Sequence, residues 1–451
     1  MFSSIHHIED YLQELVPKSS QMRYPAEKGI ARTKEFLKLL GSPQNFLKVI
    51  HVAGTSGKGS TSFMISKLLV SQGFTVGLHL SPHLIDIRER AEINNKLIEI
   101  QRYCSYFAAI VPAIEKMKQS PYGPLTYFEA CVGFAYYVFA QEKVQYAVME
   151  TGLGGEFDAT NIIDRRDKLA VITKIGFDHM KILGSTLREI AHQKAMICTL
   201  GGDLITFNQY PSAYQEIKKV VAQKKAHLIT IQSSSVTSIK LSQEYSSFSF
   251  TNEFFSSQTI TIGLLGAHQV QNASLALFTV SRLSKRDGFQ INRDSVLSTL
   301  KKLRFKGRFD IIRKKQGLII LDGAHNVQKM KALLKTVRTL FPDKKFTFVL
   351  AFKKGKEYKK MIQLIIPFAE KIIITHIFST SQDLLHFSTS PEKIVEEIAK
   401  WGFSQGEVQK NMKQVMQVIQ KSNSNTIVSG SLYLLGDVYK MLDKDVRSMS
   451  S

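Results

Sequence analysis

Residues 53–60 read Ala-Gly-Thr-Ser-Gly-Lys-Gly-Ser, a run suited to holding phosphate. It follows an apolar stretch at 49–53 and opens a helical pattern at 61–71. Gly54, Gly57 and Gly59 let the backbone come close, so that N–H groups at Thr55, Ser56 and their neighbours can surround phosphate oxygens. Lys58 adds charge and the Ser60 hydroxyl can bind Mg²⁺. The spacing departs from the common nucleotide loop: two residues, not four, separate Gly54 from Gly57, and Gly59 stands between Lys58 and Ser60. A second chemical segment, 150–161, begins with Glu150 at the end of a strand-like run, where open α/β sheets place ligands. A carboxylate there suits Mg²⁺, which prefers oxygen. Residues 175–179 repeat the pattern, ending in Asp178 and His179. A Gly-rich turn or a surface histidine would read the same alone; the expected shared sheet edge sets these residues apart.

The elements that must position them alternate in type. Apolar runs at 49–53, 76–80, 146–149, 170–175 and 204–207 read as strands, and 61–71, 187–199 and 270–282 as helices. That alternation predicts an α/β fold with a mostly parallel sheet. Between 235 and 264, Ser- and Phe-rich alternation predicts antiparallel strands. A second series begins after a basic connector at 297–307. It has strands at 318–321, 346–350, 372–375 and 426–428, and helices from 327, near 358, and at 394–400 and 412–421. The expected domains are therefore 1–298, a nucleotide-binding α/β domain, and 299–451, a smaller Rossmann-like α/β domain. The polar tail 444–451 is expected to fray.

Composition narrows the class. The chain has 451 residues, 44% hydrophobic and 22% charged, which suits folded domains rather than disorder. The longest apolar run, 130–140, is about half the ~20 residues a membrane span needs, and the first residues lack a secretory pattern. Three scattered cysteines, Cys104, Cys131 and Cys198, show neither metal spacing nor a disulfide framework and suit a reducing compartment. The expectation is a cytoplasmic protein with no membrane partner. A net charge of +22 attracts polyanions: nucleic acid, or ATP with an acidic substrate, or no specific partner at all. No basic block alternates with aromatics as in a base-stacking groove, which disfavours nucleic acid.

At this point the chain resembles the folylpolyglutamate synthase and dihydrofolate synthase family, relatives of the Mur ligases. The resemblance rests on the phosphate loop, Leu80-Ser81-Pro82-His83-Leu84 with Arg88-Glu89-Arg90, and Leu125-Thr126-Tyr127-Phe128-Glu129. It continues through segment 150–161, Asp178-His179, residues 266–273, Gly307-Arg308, residues 321–326 and Ser429-Gly430-Ser431-Leu432-Tyr433. The resemblance implies that ATP lies between the domains, held by the loop around Lys58 and by Asn272, Arg308, Asp322 and His325. It implies two Mg²⁺ ions at Ser60, Ser81, Glu150 and His179, and a carbamylated Lys194 supporting a metal. Lys58, His179, Lys194 and Arg308 are the implied catalytic set, and Leu125, Thr126, Tyr127 and Phe128 the implied pteroate wall. The implied reaction joins L-glutamate to tetrahydrofolate, with dihydropteroate as a further acceptor, through an acyl phosphate in a monomeric enzyme.

Departures from the family pattern cluster near this site. Glu156 stands where arginine is usual, Gln193 where glutamate is usual, and Met196 where glycine is common. Residues 351–357 are a loose version of the family's Asp-containing loop, and the loop 22–29 is a partial match. None removes an expected metal or phosphate ligand, so they leave the acceptor open: a Mur-type ligase with another carboxylate substrate is the nearest alternative. A nucleic-acid-binding ATPase is supported by charge alone.

Overall fold

The computed structural model describes residues 2–16, 26–378, 388–421 and 424–449. Of the loop 22–29, residues 22–25 lie outside this set, and the rest already belong to the helix Ala26–Leu39. The tail expected to fray continues the helix Leu432–Met449, with 450–451 outside the described residues. The chain divides into two compact units. The first comprises 1–239, 247–262 and 269–302; the second takes 240–246, 263–268 and 303–451. The excursions 240–246 and 263–268 into the second unit carry no sequence signal.

Seven strands form the main sheet of the first unit: β1 (Lys48–Ala53), β2 (Val76–His79), β3 (Glu92–Ile93), β4 (Tyr146–Glu150), β5 (Leu169–Ile172), β6 (Asp203–Phe207) and β7 (His227–Ile231). Their order is β3-β2-β4-β1-β5-β6-β7. Only β3, at the edge, pairs antiparallel; β2, β4, β1, β5, β6 and β7 run parallel. The inner strands read as near-continuous apolar runs because both faces are covered: β2, β4 and β5 are buried at every position. The apolar run 130–140 lies in the buried helix Tyr127–Gln141, and its Thr126–Glu129 capping box closes the first turn.

Strand β5 stops at Ile172 rather than 175. The Lys174 carbonyl turns aside to accept from Thr55 N (2.9 Å) and Ser56 N (3.1 Å). The helix Leu187–Ala195 ends four residues before the expected 199, at its Met196 C-cap. Residues 236–262 form a three-stranded sheet of β8 (Val236–Leu241), β9 (Ser246–Phe250) and β10 (Gln258–Ile262). Strand β9 alternates at period two, burying Phe248 and Phe250.

The second unit is built on six strands in the order β11-β12-β16-β13-β14-β15. They are β11 (Asp310–Arg313), β12 (Leu318–Leu321), β13 (Phe346–Leu350), β14 (Ala369–Thr375), β15 (Gly406–Gln409) and β16 (Thr426–Ser429). All pair parallel except the edge strand β11. Among the described residues no helix is long and apolar enough to cross a membrane.

Candidate active site

The parallel strands β2, β4, β1 and β5 are neighbours, so their carboxyl ends lie along one edge of the sheet. Ser81 follows β2, Glu150 closes β4, the phosphate loop follows β1, and Asp178-His179 lies beyond β5. Four segments distant in sequence are thus brought to the edge where an open α/β sheet binds ligands.

The loop's glycines are obligatory at two places. Gly54 has φ +145° and no room for a Cβ beside the Thr173 hydroxyl. Gly57, φ +94°, precedes the helix Lys58–Ser71, and a Cβ there would strike the Asn272 side chain. Asn272 is therefore seated on the loop, its amide donating to Gln269 Oε1 at 3.0 Å. The N–H groups of Thr55 and Ser56 donate to the Lys174 carbonyl, which ties the loop to the end of β5. The first turn from Gly57 to Ser60 has neither a side-chain cap nor an acidic residue, a chemistry that suits an anion. Ser60 is buried and Lys58 half-buried.

Glu150 is buried, and its Oε2 accepts from Ser81 N at 3.1 Å. His179 has φ +52° and a half-exposed ring, with Nε2 3.7 Å from Asp178 Oδ1. Lys194 is buried on the helix Leu187–Ala195, its Nζ 3.4 Å from the Gly154 carbonyl. The two departures Glu156 and Gln193 meet: Glu156 N donates to Gln193 O (2.7 Å), and Gln193 Nε2 donates to Glu156 Oε2 (2.9 Å). Gly155 permits this closeness, since a Cβ would collide with Gln193 O and come within 3.0 Å of Lys194 Cα.

Among the described residues no group of three or more His, Cys, Asp and Glu gathers as a metal cage. Mg²⁺ does not need one: it keeps waters and takes one or two carboxylates with substrate phosphate. Buried Ser60 and Glu150 beside the phosphate loop fit that chemistry.

The implied pteroate wall separates into two parts. Leu125 and Tyr127 are core residues, and Thr126 spends its hydroxyl on the helix cap. Phe128 instead faces Gly152, where a Cβ would meet its ring, and lies 6.2 Å from the His79 ring. Arg32 holds this segment from beneath: Nε and Nη2 reach Glu129 at 3.0 and 2.7 Å, and Nη1 reaches the Tyr122 carbonyl at 3.3 Å. Deeper in the sheet, burial, then Lys168 and His79, drives His51 well below its ordinary pKa, and burial pushes Lys168 down to about 7.

In the second unit, Arg308 stacks on Phe305 at 5.1 Å and lines a cavity of about 250 Å³ with Arg304, Leu264 and Asp310. The turn that aims it is pinned on both sides. Gly307 N donates to the Tyr439 hydroxyl at 2.8 Å, and Phe309, at φ +50°, donates its N–H to Asp322 Oδ2 at 2.8 Å. Asp322 also accepts from Ala324 N at 2.9 Å, so its carboxylate holds backbone. Burial pushes Asp322 above the usual carboxylate range, with nearby Arg308 opposing. His325 donates from Nδ1 to the Gly323 carbonyl (2.8 Å), which leaves Nε2 to accept from Lys329 Nζ at 2.9 Å. Burial, then Arg308, lowers His268 to about 4 and keeps it neutral. The bracing residues Lys174, Gln209 and Tyr439 belong to no motif read from the sequence; their partners are brought to them by the packing of elements distant in sequence.

Residues 118–280 match the Mur ligase middle domain and residues 306–441 the C-terminal domain of dihydrofolate synthetase. The chain is 32% identical to a dihydrofolate synthase/folylpolyglutamate synthase of Bacillus subtilis, covering 94% of this chain and 96% of that one. It is 30% identical to a dihydrofolate synthetase of Saccharomyces cerevisiae, covering 94% and 99%. The fold matches a folylpolyglutamate synthase of Mycobacterium tuberculosis complexed with ADP and AMPPCP, with TM-score 0.84 and 24% identity over 97% of this chain and 98% of that one. The chain belongs to the folylpolyglutamate synthase and dihydrofolate synthase family, ATP-dependent ligases of the Mur ligase type.

Proposed function

We propose that this protein joins L-glutamate to tetrahydrofolate, with dihydropteroate as a second acceptor, using ATP and releasing ADP and phosphate. The observation that carries the reading is the single sheet edge gathering the phosphate loop, Ser81, Glu150 and Asp178-His179. It is supported by the Bacillus subtilis relative, whose name joins both activities and which aligns over nearly its whole length.

A carboxylate is a poor acylating agent. Transfer of the γ-phosphoryl group of ATP to the acceptor carboxylate makes an acyl phosphate. The glutamate amine then attacks its carbonyl carbon, the C–N bond forms, and phosphate leaves. Lys58 and the Gly57–Ser60 turn would hold the transferring phosphates in line, and Arg308 suits a two-point grip on phosphate. Asn272, Asp322 and His325 complete the proposed nucleotide set, Asp322 chiefly by holding the Arg308 turn. Ser60, Ser81, Glu150 and His179, with Lys194 as a carbamate, would hold Mg²⁺, which neutralises phosphate charge. Of the proposed pteroate wall we assign the flat ring to Phe128, whose ring faces Gly152 and lies near the His79 ring. We assign these roles to a nucleotide-binding domain 1–298 and a Rossmann-like domain 299–451, acting in a cytoplasmic monomer.

A second reading is favoured by Glu156, whose carboxylate accepts from Gln193, next to Lys194, and would repel an anionic acceptor close to it. Labelled glutamate, ATP and Mg²⁺ offered with tetrahydrofolate and with dihydropteroate test both readings. Product with either acceptor, absent in Lys58→Ala, supports the first. Protein that binds ATP yet labels neither would replace it with a different acceptor.

A further inference from the structure

We propose that Gln209 is a positioning residue for the nucleotide phosphates, acting through the backbone of residues 173–176; the inference rests on the phosphate-loop reading above. Gln209 lies just past β6, and its amide grips the end of the neighbouring strand β5. Oε1 accepts from Ile175 N at 3.1 Å, while Nε2 donates to the Thr173 carbonyl at 3.0 Å and to the Thr206 hydroxyl at 3.1 Å. Thr206 is itself anchored, donating to the Ile172 carbonyl at 2.9 Å. The amide thus substitutes for ladder hydrogen bonds where β5 leaves the sheet, and Thr173, Ile175 and Thr206 are fully buried.

The gripped segment in turn holds the phosphate loop. The Lys174 carbonyl takes the Thr55 and Ser56 N–H groups, and the Thr55 hydroxyl donates to the Gly176 carbonyl (2.9 Å) and accepts from Gly176 N (3.0 Å). The Thr173 hydroxyl fills the space that Gly54 leaves open. Two residues beyond Gly176 come Asp178 and His179, so one side chain braces both the loop and the approach to His179. The charged group of the braced segment, Lys174, lies with Nζ 4.7 Å from the Tyr210 ring. Without Gln209 the Ile175 N–H and Thr173 carbonyl lose their partners, and the carbonyl that orients Thr55 and Ser56 loses its fixed position.

The test uses the full-length protein, with AMPPCP–Mg²⁺ binding by calorimetry, heat unfolding, and separate KM values for ATP and the folate acceptor. Gln209→Met keeps the volume and removes all three hydrogen bonds. It is expected to bind AMPPCP roughly tenfold more weakly, to raise KM for ATP similarly, and to leave KM for the acceptor unchanged. Gln209→Glu offers a second route. Its carboxylate cannot donate to Thr173, but its protonated form can, so its deficit relative to the parent protein shrinks as pH falls from 8 to 6. The inference is overturned if Gln209→Met matches the parent in AMPPCP affinity, or if both KM values rise together in step with lost stability. If Gln209→Met does not fold, a Gln209→Glu deficit that is absent or indifferent to pH overturns it. Failure of the parent protein to bind AMPPCP removes the phosphate-loop reading itself, and this inference with it.

Discussion

Single side chains decide what the loop and its surroundings tolerate. Gly57 sits at φ +94° against Asn272, so Gly57→Ala strains the backbone and displaces the amide together. The expected result is a loss of about 1–3 kcal/mol in denaturant unfolding and nucleotide binding too weak to detect by calorimetry. Glu92 is a different case. Burial, then repulsion from Glu89, raises its pKa from 4.5 to about 7, with Lys67 opposing. The folded protein therefore holds this proton where the unfolded chain has released it. Stability from this group is present below about pH 4.5, declines as pH rises toward 7, and is gone above. Glu92→Gln is expected to raise the unfolding temperature at pH 8 and leave it nearly unchanged at pH 4.5, which calorimetric scans at both values would check.

At the scale of elements, two braces hold the candidate site parts in place. Arg32 on the helix Ala26–Leu39 and Glu129 on the helix Tyr127–Gln141 form a pair only 3% and 7% exposed. Removing one partner strands a buried charge. Arg32→Met should cost about 3–5 kcal/mol, and Arg32→Met with Glu129→Met should recover much of it. Urea unfolding of both variants measures this, with KM for the acceptor reporting whether Phe128 has moved. Tyr439, on the helix Leu432–Met449, holds Gly307 N and donates to Asp310, fixing the turn that carries Arg308. Tyr439→Phe leaves that N–H without its partner. It should raise KM for ATP several-fold while leaving KM for the acceptor alone, as steady-state kinetics would show.

For the molecule as a whole, the +22 charge is the least specific feature and the easiest to misread. If it serves an acidic substrate, raising NaCl from 50 to 300 mM should raise KM more for a folate carrying several glutamates than for one carrying a single glutamate, because each added carboxylate adds a screened attraction. Kinetics on both acceptors decide this. RNA or DNA should not stimulate ATP hydrolysis, and a salt-sensitive stimulation would revive the nucleic-acid reading.

Much of this molecule is local enough to be read from its residues. Strands β1, β4, β12 and β13 are legible because buried parallel strands must be continuous apolar runs. The tight turn at Gly54 and Gly57 is legible because close backbone approach and positive φ demand glycine. The pairings are not local. Nothing in residues 173–175 or 206–210 says that a glutamine will close the end of β5, or that Lys174 will take the N–H groups expected to bind phosphate. Nor does the sequence show that Glu156 and Gln193 are partners, or that Leu125 and Tyr127 turn inward while Phe128 faces Gly152. Periodicity and backbone sterics act over a few residues and are written in the chain. Which strand end lies beside which is set by burying whole elements against one another, and only the tertiary structure decides it.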